Sequence, residues 1–139
     1  MDRSTPILHV EDDPVDVGNL RRAFARCGIH NPLRAVSSAA EALRLLRGCS
    51  AEAAPRPGII LLDLSMPDFG GLELLRELKS DPELRAIPVI VVTASQHARD
   101  RRHAYELGAA GYVVKPIEFE SFVEAVQTLE RYWALCESP

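Results

Sequence analysis

The chain has 139 residues, with 16 lysines and arginines against 20 aspartates and glutamates, for a formal net charge of −4 at pH 7. That length suits one domain with a full core, and a hydrophobic fraction of 47% beside 26% charged residues excludes global disorder. The acidic balance argues against a nucleic-acid binder held by phosphate neutralisation, and no apolar run approaches the roughly 20 residues of a membrane helix. The N-terminus lacks the apolar core of a secretion signal. Cys27, Cys49 and Cys136 are widely spaced and form no C-x-x-C, so neither a disulfide framework nor a zinc site is suggested. A reducing cytoplasm fits this pattern.

In chain order, Ile7 to Val10 is a short apolar run that ends in acid. Pro14 to Cys27 has helical spacing, with Val17, Leu20, Phe24 and Cys27 on one face, Asp13 as N-cap and Gly28 as stop. Leu33 to Val36 reads as a second strand. Ser38 caps a helix to about Arg47, with Ala39, Leu43 and Leu46 inward, and Gly48 ends it. Cys49 to Pro57 is a surface loop rich in small residues and proline. Ile59 to Leu62 is continuously apolar, as a central parallel strand covered on both faces requires, and Asp63 ends it.

Gly70-Gly71 opens a helix with Leu72, Leu75 and Leu78 aligned, broken at Asp81-Pro82. Pro88 to Val92 is a second buried strand, closed by Thr93. Gln96 to Leu107 is helical but weakly apolar, with Ala104 and Leu107 facing the core. Gly111 to Val114 is the fifth strand, ended by Lys115-Pro116. From Glu118 to about Leu135, Phe119, Phe122, Val123, Val126, Leu129 and Trp133 form one helical stripe.

Strand–helix alternation repeated five times implies a parallel sheet with helices on both faces and right-handed crossovers. Ligands of such sheets bind beyond the carboxyl ends of the strands. The residues there are Glu11, Asp12 and Asp13 after the first strand, and Asp63 after the third. Thr93, Ala94 and Ser95 follow the fourth, and Lys115 follows the fifth. Carboxylates brought together from two strand ends either raise one another's pKa or recruit a cation. An all-oxygen set suits a hard ion such as Mg²⁺. Lys115 and Thr93 can pair with a phosphoryl oxygen, and Asp63 can act as a carboxylate nucleophile that forms an aspartyl phosphate. His9, His30, His97 and His103 have no ligand spacing.

Four stretches carry a resemblance: Val10-Glu11-Asp12-Asp13-Pro14, Leu61 to Pro67, Val91 to Ser95 and Gly108 to Pro116. In this order and spacing the chain resembles a response-regulator receiver domain of two-component signalling, over about residues 5 to 134. The resemblance implies a flavodoxin-like, doubly wound (βα)5 fold with a five-stranded parallel sheet in the order 2-1-3-4-5. It implies that Asp63 accepts a phosphoryl group from the phosphohistidine of a sensor histidine kinase. Asp12 and Asp63 would bind Mg²⁺ directly, Glu11 would hold metal-bound water, and Ser65 would offer its backbone carbonyl. Thr93 and Lys115 would bind the phosphoryl group. Tyr112 would be the aromatic switch, and the Lys115–Pro116 bond would be cis.

The family reads out its state on the surface of the fourth helix, fifth strand and fifth helix. Here that surface would carry Arg99, Arg101, Arg102, His103 and Tyr112. One departure is Asp68-Phe69-Gly70-Gly71, where the family often has Asp-Gly, which points to a different cap on the third helix. The chain ends at Pro139 without room for an output domain, so a stand-alone receiver of one domain, residues 1–139, is expected, and its output must be a contact with a downstream protein.

A narrower resemblance is to the small response regulators that partner bacterial phytochrome kinases. It rests on Glu11 to Pro14 with Asp16, the loop at 48–57, Asp81 to Arg85 with Ile87-Pro88, and Leu129 to Trp133. Several of those are homodimers through the fourth-to-fifth helix surface, and exposed aromatics near the chain end fit that.

The alternative function is a degenerate receiver, a constitutive binding module that needs no phosphorylation. Its sign is loss of an acid, the threonine or the lysine, and none is missing. An aspartate-nucleophile phosphatase needs a second Asp two residues after the first, where this chain has Ser65. No G-x-x-x-x-G-K-[ST] and no G-x-G-x-x-G after a strand speaks for nucleotide binding. A receiver chemically assists its own phosphorylation and dephosphorylation but turns over no external substrate. A non-enzyme, cytoplasmic signalling protein without nucleic-acid or membrane partners is therefore expected.

Overall fold

A computed structural model describes residues 6–48, 56–66 and 70–115, with Thr128 and Arg131. The strands are β1 (Ile7–Val10), β2 (Leu33–Val36), β3 (Ile59–Leu62), β4 (Val89–Thr93) and β5 (Gly111–Val114). The helices are α1 (Pro14–Arg26), α2 (Ala39–Leu46), α3 (Gly71–Ser80) and α4 (Ala98–Glu106). All strand pairs are parallel, in the order β2-β1-β3-β4-β5, as the alternating pattern requires.

The continuous apolar runs divide between two cores. Leu8, Val10, Ile60, Leu62, Val89 and Val91 face the layer that holds Ala39, Ala42, Leu74, Leu75, Leu78 and Ala104. Ile7, Ile59, Leu61, Ile90 and Val92 face Leu20, Ala23 and Phe24 of α1. Every residue of β1, β3 and β4 is buried. Successive strand residues point to opposite faces, so a strand without polar alternation must be covered twice.

Local signals set the helix ends. The Asp13 side chain accepts a hydrogen bond from Val15 N, and Pro14 occupies the first turn. Gly28 follows α1 at φ 74°, a conformation a side chain disfavours. Ser38 caps α2 by accepting from Glu41 N. Gly70 caps α3 with no side-chain bond, which is the departure expected from Asp68 to Gly71.

Burial grades the inward-facing residues of α2 and α3, all of which pack against the core. In α2, Ala42 is buried while Leu43 and Leu46 are half-buried against the core. In α3, Leu74 is fully buried and Leu72 is not. Small residues sit deepest where a helix lies close to the sheet, and leucines flank them. Helix α4 is shorter than its pattern, starting at Ala98 and ending at Glu106, and β4 runs one residue further, through Thr93. The loop at 49–55, Pro116 and the cis bond expected before it, Trp133, and the helix expected from Glu118 to about Leu135 lie outside the described residues. Among the described residues, no helix is long and apolar enough to cross a membrane.

Candidate functional site

The parallel ladder continues one hydrogen bond beyond β1, β3 and β5. Glu11 N donates to Val36 O (3.0 Å), Asp63 N to Val10 O (3.0 Å) and Lys115 N to Thr93 O (2.6 Å). These bonds bring Glu11, Asp63, Thr93 and Lys115 to one rim although they are distant in sequence. Glu11, Asp63 and Thr93 are buried there, at 3%, 5% and 0% exposure. Asp12 and Ser65 are exposed at its mouth.

One carboxylate oxygen each from Glu11, Asp12 and Asp63 lies within 4.8 Å of the others. Ser65 N donates to Asp63 Oδ1 at 3.1 Å, which turns the loop back over the acid. Helix α3 presses on the same loop. Gly71 N donates to Leu64 O at 3.3 Å, and a Cβ on Gly71 would stand 2.5 Å from Asp63 O and from Leu64 Cα. Glycine here is a close-approach requirement on the loop that follows Asp63.

Lys115 Nζ donates to Glu11 Oε1 at 2.5 Å and to Asp16 Oδ2 at 2.7 Å, and stands 3.6 Å from Asp63 Oδ2. Burial penalises the charged lysine, but its bonds to Asp16 and Glu11 outweigh that and raise its pKa. Burial raises the Glu11 carboxyl to about 7, with Lys115 opposing and Asp63 adding. Burial also raises Asp63. The Ser65 N–H, Glu11, Lys115 and Thr93 more than offset it, so Asp63 is held below the usual carboxylate range. Asp63 is ionised at neutral pH, and Glu11 is only partly so. A single lysine therefore does not neutralise the pocket, and a divalent cation ligated by hard oxygens fits the remaining charge.

Tyr112 is half-buried at the α4 side of the rim, and its hydroxyl donates to Ser95 O at 3.0 Å. Ser95 Oγ donates to Asp100 Oδ2 at 2.6 Å, and Ser95 N donates to Thr93 Oγ1 at 3.4 Å. The tyrosine is thus tied to the segment that follows the threonine. Asp13, one of the acids after β1, is exposed and serves α1 as its cap.

Asp16 is the site residue that strand-end reasoning misses. It lies in the first turn of α1, where an acid is favoured by the helix dipole and passes as solvated surface. Only the tertiary structure brings Lys115 to it. His9, within β1, is 3% exposed, its Nδ1 has no hydrogen-bond partner among the described residues, and burial lowers its pKa to about 4.

Comparison with known proteins agrees with this geometry. The response regulator receiver domain family matches residues 7–127. Response regulator Rcp1 of Synechocystis is 34% identical over 136 residues, covering 95% of this chain and 92% of Rcp1. The phosphorylated cyanobacterial phytochrome response regulator RcpA superposes with a TM-score of 0.88 at 34% identity, covering 97% of this chain and 98% of RcpA. The Mn²⁺-bound form of Rcp1 does so with a TM-score of 0.87 at 32% identity, over 97% and 99% of the two chains. An acidic rim on a 2-1-3-4-5 parallel sheet, matched along nearly the whole chain, places this protein in the response regulator receiver family, the phosphoryl-accepting signalling proteins of two-component systems.

Proposed function

We propose that this chain is a single-domain response regulator in which Asp63 takes a phosphoryl group from a histidine kinase, served by a bacterial phytochrome, in a Mg²⁺-dependent reaction. The observation that carries this reading is the acceptor's environment. Asp63 is 5% exposed and held ionised, beside a half-buried lysine and a fully buried threonine. An Asp63 oxygen attacks the phosphorus in line, the phosphorus–nitrogen bond to the kinase imidazole breaks, and the imidazole keeps that electron pair. Lys115 and the Thr93 hydroxyl then hold the phosphoryl oxygens.

Glu11, Asp12, Asp63 and the Ser65 carbonyl would hold the Mg²⁺, which supplies charge neutralisation on the transferring group when bound. Tyr112 serves as the switch, because movement of Thr93 to a phosphoryl group pulls on the Ser95 segment that its hydroxyl grips. The output leaves by protein contact on the face of α4, β5 and the following segment, where Arg99, Arg101, Arg102 and Tyr105 are exposed. A second copy on that face makes the homodimer. The protein works in the cytoplasm, where the kinase's phosphohistidine is presented. Its catalysis is confined to its own phosphorylation and dephosphorylation.

The test is phosphotransfer. A purified bacteriophytochrome-type kinase, pre-labelled on histidine, is expected to pass its label to the wild type and not to Asp63→Asn. Label that stays on the kinase, or that reaches Asp63→Asn equally, refutes the reading. Light scattering with and without phosphorylation tests the dimer.

A further inference from the structure

We propose that Asp16 is a positioning residue that competes with the phosphoryl group for Lys115 and so restrains phosphorylation of Asp63. This rests on the reading of Asp63 as acceptor. A lysine ammonium has three N–H donors. Two are committed, to Glu11 Oε1 at 2.5 Å and Asp16 Oδ2 at 2.7 Å, while Asp63 Oδ2 at 3.6 Å is beyond a hydrogen bond. A phosphoryl group on Asp63 adds oxygens beyond that carboxylate. The third N–H can meet them, but drawing the ammonium toward them lengthens its bond to one of its two close partners.

Burial decides which one gives way. The Glu11 side chain is 2% exposed, and unpairing it strands a buried acid. The Asp16 side chain is 31% exposed, so water replaces the lysine there at small cost. Asp16 is therefore the partner that releases Lys115. In the resting protein it holds the ammonium off the acceptor, which acts against the phosphorylated state.

Asp16→Asn keeps the size and removes the charge. It is expected to raise the affinity for beryllofluoride, a phosphoryl mimic, about fivefold in saturating Mg²⁺, the factor for a partly exposed ion pair of about 1 kcal/mol. The phosphorylated fraction reached with a limiting small phosphodonor rises in parallel, and the melting temperature barely moves. Asp16→Glu restores wild-type behaviour. In a Lys115→Ala background, Asp16→Asn changes beryllofluoride affinity by less than about twofold, because no lysine remains to be released.

Unchanged or weaker affinity in Asp16→Asn overturns the inference. So does a gain of the same size without Lys115, which would mean that Asp16 acts by another route. Wild-type protein that neither binds the mimic nor takes a phosphoryl group refutes the acceptor reading itself, and the role of Asp16 falls with it. A wild type that labels normally while Asp16→Asn behaves identically refutes the role of Asp16 alone.

Discussion

A divalent cation entering the acidic rim competes with a proton for Glu11. Burial holds that carboxyl at about 7, above its ordinary 4.5. Below about 7 the ion competes with the proton, and each pH unit lost costs a factor approaching ten in apparent affinity. Between about pH 7.5 and about pH 5.5 the affinity for Mg²⁺ is expected to fall about twentyfold, or ~2 kcal/mol, and to level off above 7.5.

Glu11→Gln removes the titrating group. It is expected to bind the ion more weakly at pH 7.5 and to lose most of the pH dependence. Isothermal titration of Mg²⁺ or Mn²⁺ across that range reads both effects, and the proton release is seen as a dependence of the heat on buffer ionisation enthalpy. A flat affinity profile in the wild type, or an undiminished slope in Glu11→Gln, refutes the claim that this buried acid is neutralised by either a proton or a metal.

Two further predictions concern the scaffold. His9 falls from 6.5 to about 4, chiefly by burial, so the folded protein refuses a proton that the unfolded chain accepts. Its contribution to stability is complete above about 6.5 and is lost as pH falls toward about 4, to the extent of about 3 kcal/mol. His9→Leu also removes a buried nitrogen that has no hydrogen-bond partner among the described residues. In urea titrations its stability advantage over wild type is expected to widen from pH 7 to pH 4.5, and a constant difference contradicts the linkage.

The second is Gly71→Ala, which sets a methyl 2.5 Å from backbone atoms of Asp63 and Leu64. It is expected to cost about 1–3 kcal/mol and to slow phosphorylation, because the acceptor loop must shift. At Gly70 the added methyl meets only the end of the Glu73 side chain, which can swing away. Gly70→Ala should therefore leave the phosphorylation rate unchanged, and equal effects at both positions contradict the reasoning.

The sheet is readable in the sequence because its strands are short apolar runs with chemistry at one end. Ile59 to Leu62 before Asp63, and Val89 to Val92 before Thr93, announce both burial on two faces and the rim that follows. The acceptor, its acidic neighbours, the threonine and the lysine are all strand-end residues, and the ladder bonds that align them follow from parallel pairing. Asp16 escapes that logic. It sits on a helix, and its partner is 99 residues away. Ala42 and Leu74 escape it differently. Which residue of a helix lies deepest depends on how closely that helix approaches the sheet, and periodicity defines a face without defining depth. That His9 Nδ1 has no partner among the described residues is invisible in sequence, since a histidine in a strand carries no mark of whether its partners are there.

The most direct measurement is the intact mass of the protein after incubation with a small phosphodonor and Mg²⁺, beside Asp63→Asn and a chelated control. One phosphoryl adduct is expected on the wild type, with none on Asp63→Asn and none in chelator. An adduct that survives in Asp63→Asn, or a folded, Mg²⁺-saturated wild type that takes up no phosphoryl group, contradicts the assignment of Asp63 as the acceptor.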